Sequence, residues 1–234
     1  MALPKINDKP KYSLTIPSTG EVVRFRPYLV KEEKVLMLAM ESEDAKQIVN
    51  AIVDTIDACV EGDLPRNKLK MYDVEYMFTQ IRGKSVGETT EINMICTECD
   101  ARSPVTIKFD DIKVDIPDVS DTIQATDNIK IKMQWPSYTK LMNQMSGGEL
   151  TTADALKTLN TCIHSILTEE EVFHAVDQTE EELTEFVDSL PPGVLKDMQT
   201  FIEAMPRLEK PGEYDCISCG HHNTYKLQGI QDFF

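Results

Sequence analysis

Cys96-Thr-Glu-Cys99 and Cys216-Ile-Ser-Cys219 decide how this chain is read. Each is a Cys-x-x-Cys pair, and a two-residue spacer bends the backbone into a knuckle that turns both sulfurs towards one point. Each pair also lies between stretches of strand character. Thr89–Ile95 and Pro104–Phe109 flank the first, Glu213–Asp215 and Asn223–Leu227 the second. Strand, knuckle and strand occur twice, so residues 100–215 separate the two halves of what reads as one zinc ribbon.

Four thiolates in tetrahedral geometry suit zinc. A redox dithiol uses a single Cys-x-x-Cys beside a helix N-terminus, whereas both pairs here run through a polar turn into a strand. The expected metal ligands are therefore Cys96, Cys99, Cys216 and Cys219, holding a structural zinc. Four sulfurs close the coordination shell and leave no position for water or substrate, so the ion is expected to hold the fold together and not to catalyse. His221 and His222 follow Cys219 directly and read as exposed turn residues, because the shell is complete without them. Closing a loop of this length costs about 4 kcal/mol, a cost that metal binding worth on the order of 10 kcal/mol offsets.

A chain of 234 residues, 41% hydrophobic and 27% charged, can bury about 70% of its unfolded surface and needs no other staple. No apolar run approaches the roughly 20 residues of a membrane span. Met1 to Pro10, with Lys5, Asp8 and Lys9, lacks the apolar core of a signal peptide, and the expectation is a cytoplasmic chain. Cys59 and Cys162 fall on apolar helical stripes and read as small core hydrophobes. The net charge of −16 argues against nucleic acid as a partner. The cations near the knuckles, Arg102, Lys108, Lys210 and Lys226, are interleaved with Glu98, Asp100, Asp110, Asp111, Glu213 and Asp215. A zinc-ribbon regulator of nucleic acid is the alternative of another class.

Lys11–Ile16 and Glu21–Arg26 alternate around Pro17-Ser-Thr-Gly20, predicting an N-terminal β-hairpin. A helix follows from Val30, with Glu32 and Glu33 in its first turn and Val35, Leu36, Leu38, Ala39 and Met40 expected to bury. Ala45, Ile48, Val49, Ile52, Val53, Ile56, Cys59 and Val60 mark a second helix by their three- and four-residue spacing. A third, shorter helix around Tyr72–Ile81 is expected to end at Gly83. Gly83-Lys-Ser85 is no phosphate loop, since the required upstream glycine is Phe78, and it reads as a linker.

After the first knuckle, Ile112–Ile116 and Asn128–Met133 read as strands and Tyr138–Met145 as a helix broken by Gly147-Gly148. Three helices are then expected: Ala153 to Leu167 through Leu156, Leu159, Ile163 and Ile166; Leu183 to Leu190, opened by the capping box Thr179-x-x-Glu182; and Leu195 to Met205, after Pro191-Pro192-Gly193. His164 and His174 with Glu169, Glu170 and Glu171 invite a search for acid-base chemistry, but helical spacing does not bring them together and the glutamates read as a helix end. No catalytic constellation emerges. The fold class is α+β: residues 1–86 form a hairpin with helices, 87–116 the first half of the ribbon, 117–206 a mainly helical insertion, and 207–234 the second half. The outer edge of the hairpin and the apolar end Ile230-Gln-Asp-Phe233-Phe234 are the candidate contact surfaces.

Leu3–Tyr12, continuing through Phe25-Arg-Pro-Tyr-Leu-Val-Lys-Glu-Glu-Lys-Val35, resembles the opening of the baseplate hub assembly family of T-even-type contractile-tailed bacteriophages. Gly83-Lys-Ser-Val-Gly-Glu88 before the Cys96 knuckle, and the Cys216 knuckle running to Phe234, are similar to the same family, so the likeness spans the chain. The resemblance implies a non-enzymatic late protein, made in the host cytoplasm and required to build the central hub of the tail baseplate. It implies other hub and tail proteins, the tape-measure protein among them, as partners. The product either stays in the virion as a structural subunit or acts as an assembly chaperone and leaves.

Overall fold

The computed structural model describes residues 10–144, 152–229 and 232, without the side chains of 144 and 152–156. The expectations for Gly147-Gly148, for Ala153 and Leu156 as stripe residues, and for the apolar end with Phe233 and Phe234 lie outside the described residues. The chain divides into two compact units, one running to Asp115 and resuming at Arg207, the other Ile116–Pro206.

β1 (Tyr12–Thr15) and β2 (Val22–Phe25) form the antiparallel hairpin, with Leu14 opposite Val23 and Gly20 at positive φ in the turn. α1 (Val30–Glu41), α2 (Ala45–Cys59) and α3 (Met71–Val86) follow. Asp44 caps α2 by accepting the N–H groups of Lys46 and Gln47 at 2.8 and 3.1 Å. The α2 face Ile52, Val53, Ile56 and Cys59 is buried, as are Phe25 on β2 and Met77, Phe78 and Ile81 on α3. The segment ending α2 lines up beside β2, where Arg26 N–H donates to the Cys59 carbonyl and Glu61 N–H to that of Arg24. Asp73, fully buried, ties the hairpin turn to α3: its carboxylate accepts from Ser18 N–H and O–H at 2.9 and 2.6 Å and from Lys70 N–H at 2.8 Å.

Two expectations fail in this region. Of the apolar residues predicted to bury along α1, only Leu36 does, while Val35, Leu38 and Met40 stay exposed. Composition alone overstated that helix's contact face. Gly83 does not end α3, and Gly83-Lys84-Ser85 is its last turn, not a linker. Glycine suits the position because a Cβ would sit 3.0 Å from that of Phe109, a tight approach. The helix ends at Gly87, at φ 140°.

β3 (Thr89–Ile95) and β4 (Arg102–Lys108) pair antiparallel around the first knuckle, and a 3-10 turn at Phe109–Asp111 leads to the short β5 (Lys113–Val114).

The second unit opens with β6 (Thr122–Thr126) and β7 (Ile129–Met133), continues through α4 (Tyr138–Gln144) and α5 (Thr152–Cys162), and adds β8 (Ile163–Leu167) and β9 (Val172–His174). The four strands form one antiparallel sheet in the order β6-β7-β8-β9. α6 (Glu180–Asp188) and α7 (Pro192–Glu203) close the unit over a core of Ile123, Ile131, Met133, Leu159, Ile163, Leu183, Met198 and Phe201. Trp135 stacks on Phe201 with ring centroids 5.3 Å apart. The Thr179 capping box forms as expected, Glu182 N–H donating to Thr179 Oγ1 and Thr179 N–H to the Glu182 carboxylate.

The expected helix Ala153–Leu167 is corrected by this sheet. The helix stops at Cys162 and Ile163–Leu167 is a strand, so the insertion carries a four-stranded sheet beside its helices. Ile163 and Ile166 are β-branched and pair with β7, Ile166 facing Ile131 across the ladder. Nor do Glu169, Glu170 and Glu171 mark a helix end. They lie in the turn between β8 and β9, where Thr168 N–H donates to the Glu171 carbonyl.

The chain returns to the first unit through β10 (Leu208–Asp215) and β11 (His222–Gln228), with β5 against β10. Ile107, Phe109, Ile112, Leu208 and Leu227 form the core beneath the hairpins. Gly212 lies opposite Tyr225, whose ring occupies the place of a side chain there: an added Cβ would fall within 2.3 Å of the ring tip.

Candidate metal centre

The two cysteine hairpins are built alike, position for position. Cys96 N–H donates to the Ala101 carbonyl and Cys216 N–H to that of His221, both at 2.9 Å. Asp100 N–H and Gly220 N–H donate back to the carbonyls of Cys96 and Cys216. Asp100 and Gly220 both take the left-handed conformation that closes each knuckle, at φ 57° and 72°. In both hairpins the first cysteine is buried and the second exposed. The strand registers also correspond, Met94 facing Ser103 as Tyr214 faces Asn223, and Thr90 facing Ile107 as Lys210 faces Leu227.

The folded chain brings the four predicted sulfurs together, all within 4.8 Å of one another. Cys96 and Cys219 are separated by 3.8 Å and Cys99 and Cys216 by 3.6 Å, far longer than a disulfide. A tetrahedron of thiolates at about 2.3 Å from a central ion has edges of about 3.8 Å, so the spacing fits a metal ion. Cys96, Cys99, Cys216 and Cys219 can hold one.

Local hydrogen bonds prepare the first sulfur of each pair for that role. Glu98 N–H points at Cys96 Sγ and Ser218 N–H at Cys216 Sγ, each at 3.4 Å. Amide donors of Cys219 and Ser218 pull the Cys216 thiol down to about 6, and those of Glu98 and Cys99 lower Cys96 against the opposing effect of burial. The amide of Ala101 pulls Cys99 the same way, but the surrounding sulfurs and burial prevail and push it up to about 12.

Two polar residues that the sequence did not single out lock the hairpins across the centre. Asn223 on β11, nearly fully buried, accepts Thr97 N–H at 3.0 Å and Thr97 O–H at 2.9 Å, and its amide reaches Cys96 Sγ at 3.6 Å. In the reverse direction, Ser103 on β4 accepts Ile217 N–H at 3.2 Å. Each stands seven residues beyond the first cysteine of its own pair and serves the knuckle of the other. A polar residue on the inward face of each strand, at that shared spacing, was the available signal.

The other candidate residues stay apart from this centre. His221 and His222 are exposed, and the carboxylate of Asp215 at 2.9 Å raises the imidazole pKa of His222. Cys59 and Cys162 are buried in the cores of their own units. Lys84 bridges Glu88 at 2.8 Å, and Ser85 O–H donates to the Ile81 carbonyl within α3. His164 and His174 do meet, contrary to the helical reading, because β8 and β9 are neighbours: their rings lie edge to face at 5.9 Å. They border an open groove shared with Lys140, Lys157 and Glu180.

The sequence model of a family described as T4 bacteriophage base plate protein matches residues 9–234. The chain belongs to that family. A search of the curated proteins and one of the solved structures each give no match. Membership makes this chain a phage baseplate protein and points to other baseplate proteins as its partners. Among the described residues, no helix of the baseplate protein is long and apolar enough to cross a membrane.

Proposed function

We propose that this baseplate protein is a non-enzymatic component or assembly factor of the baseplate hub, held in shape by a structural zinc bound to Cys96, Cys99, Cys216 and Cys219. The family match over nearly the whole chain carries the reading. Zinc is the ion of choice because four soft thiolates in a tetrahedron suit it, and their saturation of the shell fits an architectural role. The four segments 1–86, 87–116, 117–206 and 207–234 then have a division of labour. The cysteine segments form a split ribbon, and the outer segments supply contact surfaces.

Protein contact is the proposed activity, with hub proteins and the tape-measure protein as partners during assembly in the host cytoplasm. Among the described residues β1 pairs with β2 alone, so its outer edge is the candidate for strand addition, since β2 is flanked on its other side by the segment ending α2. A net charge of −16 disfavours nucleic acid as the target.

Deletion of the gene in the phage is expected to stop tails before sheath addition, and normal tails from the deletion would refute the hub role. Mass spectrometry of purified tails then separates the two forms of the proposal. Recovery of the chain in stoichiometric amount marks a subunit, and its absence marks an assembly chaperone that departs.

A further inference from the structure

α1 is the least covered helix of the first unit, with only Glu32 and Leu36 buried among its residues. Val30, Val35, Met37, Leu38 and Met40 are 64, 50, 58, 67 and 43% exposed. Single exposed apolar residues need no explanation, but five on one short helix mark an interaction surface. Val30, Lys34, Met37, Leu38 and Glu41 recur at helical spacing and share one face, with Met37 and Leu38 at its middle.

The charges on that face select the occupant. Lys34 stands towards the N-terminal end of α1 and Glu41 is its last residue, and the last turn holds no basic residue. Glu41 opposes the macrodipole of its own helix, which favours basic groups at its C-terminus, and Lys34 lies just past the first turn on the same face. Neither takes part in an ion pair among the described residues. An antiparallel second copy gives both charges a partner. When two α1 helices cross between Met37 and Leu38, Lys34 of one stands level with Glu41 of the partner subunit, near that helix's negative end, and two-fold symmetry repeats the pair. Met37 and Leu38 then meet their symmetry mates at the centre, with a polar pair on either side.

We infer that the protein forms a homodimer through antiparallel packing of α1 on α1. The contact is small, since the 12 residues of α1 make a helix about 18 Å long. A reversible dimer with Kd on the order of micromolar is therefore expected.

Sedimentation of the full-length chain across a concentration series tests this at fixed ionic strength. Wild type is expected to pass from monomer to dimer, and Leu38→Glu to remain monomeric. Lys34→Glu and Glu41→Lys should each weaken the dimer roughly tenfold, because each reversal disturbs two symmetric pairs, and the double variant should recover most of the loss. All three side chains are exposed, and unchanged circular dichroism and thermal melting confirm that the variants fold. Wild type that stays monomeric to its solubility limit overturns the homodimer and leaves the face to a different baseplate protein. A dimer that survives Leu38→Glu overturns the α1 contact, and failure of the double variant to recover overturns the antiparallel arrangement.

Discussion

The first and second cysteine hairpins reach the same backbone with different side chains. Where the second has Gly220 in the left-handed turn, the first has Asp100. Where the first pairs Ile92 with Val105, the second lays Tyr225 over Gly212. Across the centre, Asn223 makes several bonds to the first knuckle, whereas Ser103 returns one to the second. The local shape therefore depends on the cysteine spacing and its amide bonds, which both halves share. The remaining positions are filled so that each hairpin supports the other. The comparison predicts that the halves depend equally on the metal and unequally on everything else.

Removal of the proposed zinc tests the shared dependence and carries the largest expected effect. If the four cysteines hold that ion, chelation withdraws on the order of 10 kcal/mol of binding free energy, comparable with the whole stability of a domain. Loss of both hairpins together is expected, seen as hydrogen exchange in β3, β4, β10 and β11 at once, while the sheet of the second unit keeps its protection. Cys96→Ser and Cys216→Ser should reproduce this equally, and a difference between them would break the equivalence of the halves.

Asn223→Ala should cost about 3 kcal/mol, because Thr97 N–H and O–H both lose their acceptor and a small cavity opens where the buried Asn223 stood. Ser103→Ala should cost about 1 kcal/mol, one hydrogen bond. Denaturant unfolding of the two metal-loaded variants measures the asymmetry, and equal losses would remove it. At Gly212, alanine should cost about 2 kcal/mol by driving the Tyr225 ring off the strand. Tyr225→Ser in the same chain should recover part of that loss in a double-mutant cycle.

The knuckle turns give the smallest effects, of opposite sign. Gly220→Ala should destabilise by about 1 kcal/mol, since alanine resists positive φ, whereas Asp100→Gly should stabilise by up to about 1 kcal/mol by relieving the same strain. Thermal melts of the two variants should shift in opposite directions. Equal shifts would mean that the turns are not equivalent.

How much was readable in advance follows the range of each interaction. The two cysteine knuckles, the strands beside them and the Thr179 cap were legible because each depends on residues a few positions apart. The strand at Ile163–Leu167 was not, because its apolar spacing fits a helix as well as a strand. The neighbouring β7 edge, which pairs Ile131 with Ile166, settles the matter. His164 and His174 were judged apart on helical spacing and are neighbours for the same reason.

By itself the sequence determined that two knuckles form and which sulfurs they present, since a two-residue spacer and its amide donors act within one turn of chain. It also determined an acidic chain with apolar helices. Only the tertiary structure decided that both knuckles meet at one point, that Asn223 and Ser103 cross between them, and that α1 keeps Met37 and Leu38 uncovered. Those outcomes join residues far apart in the chain, and no local period records which distant surfaces will pack.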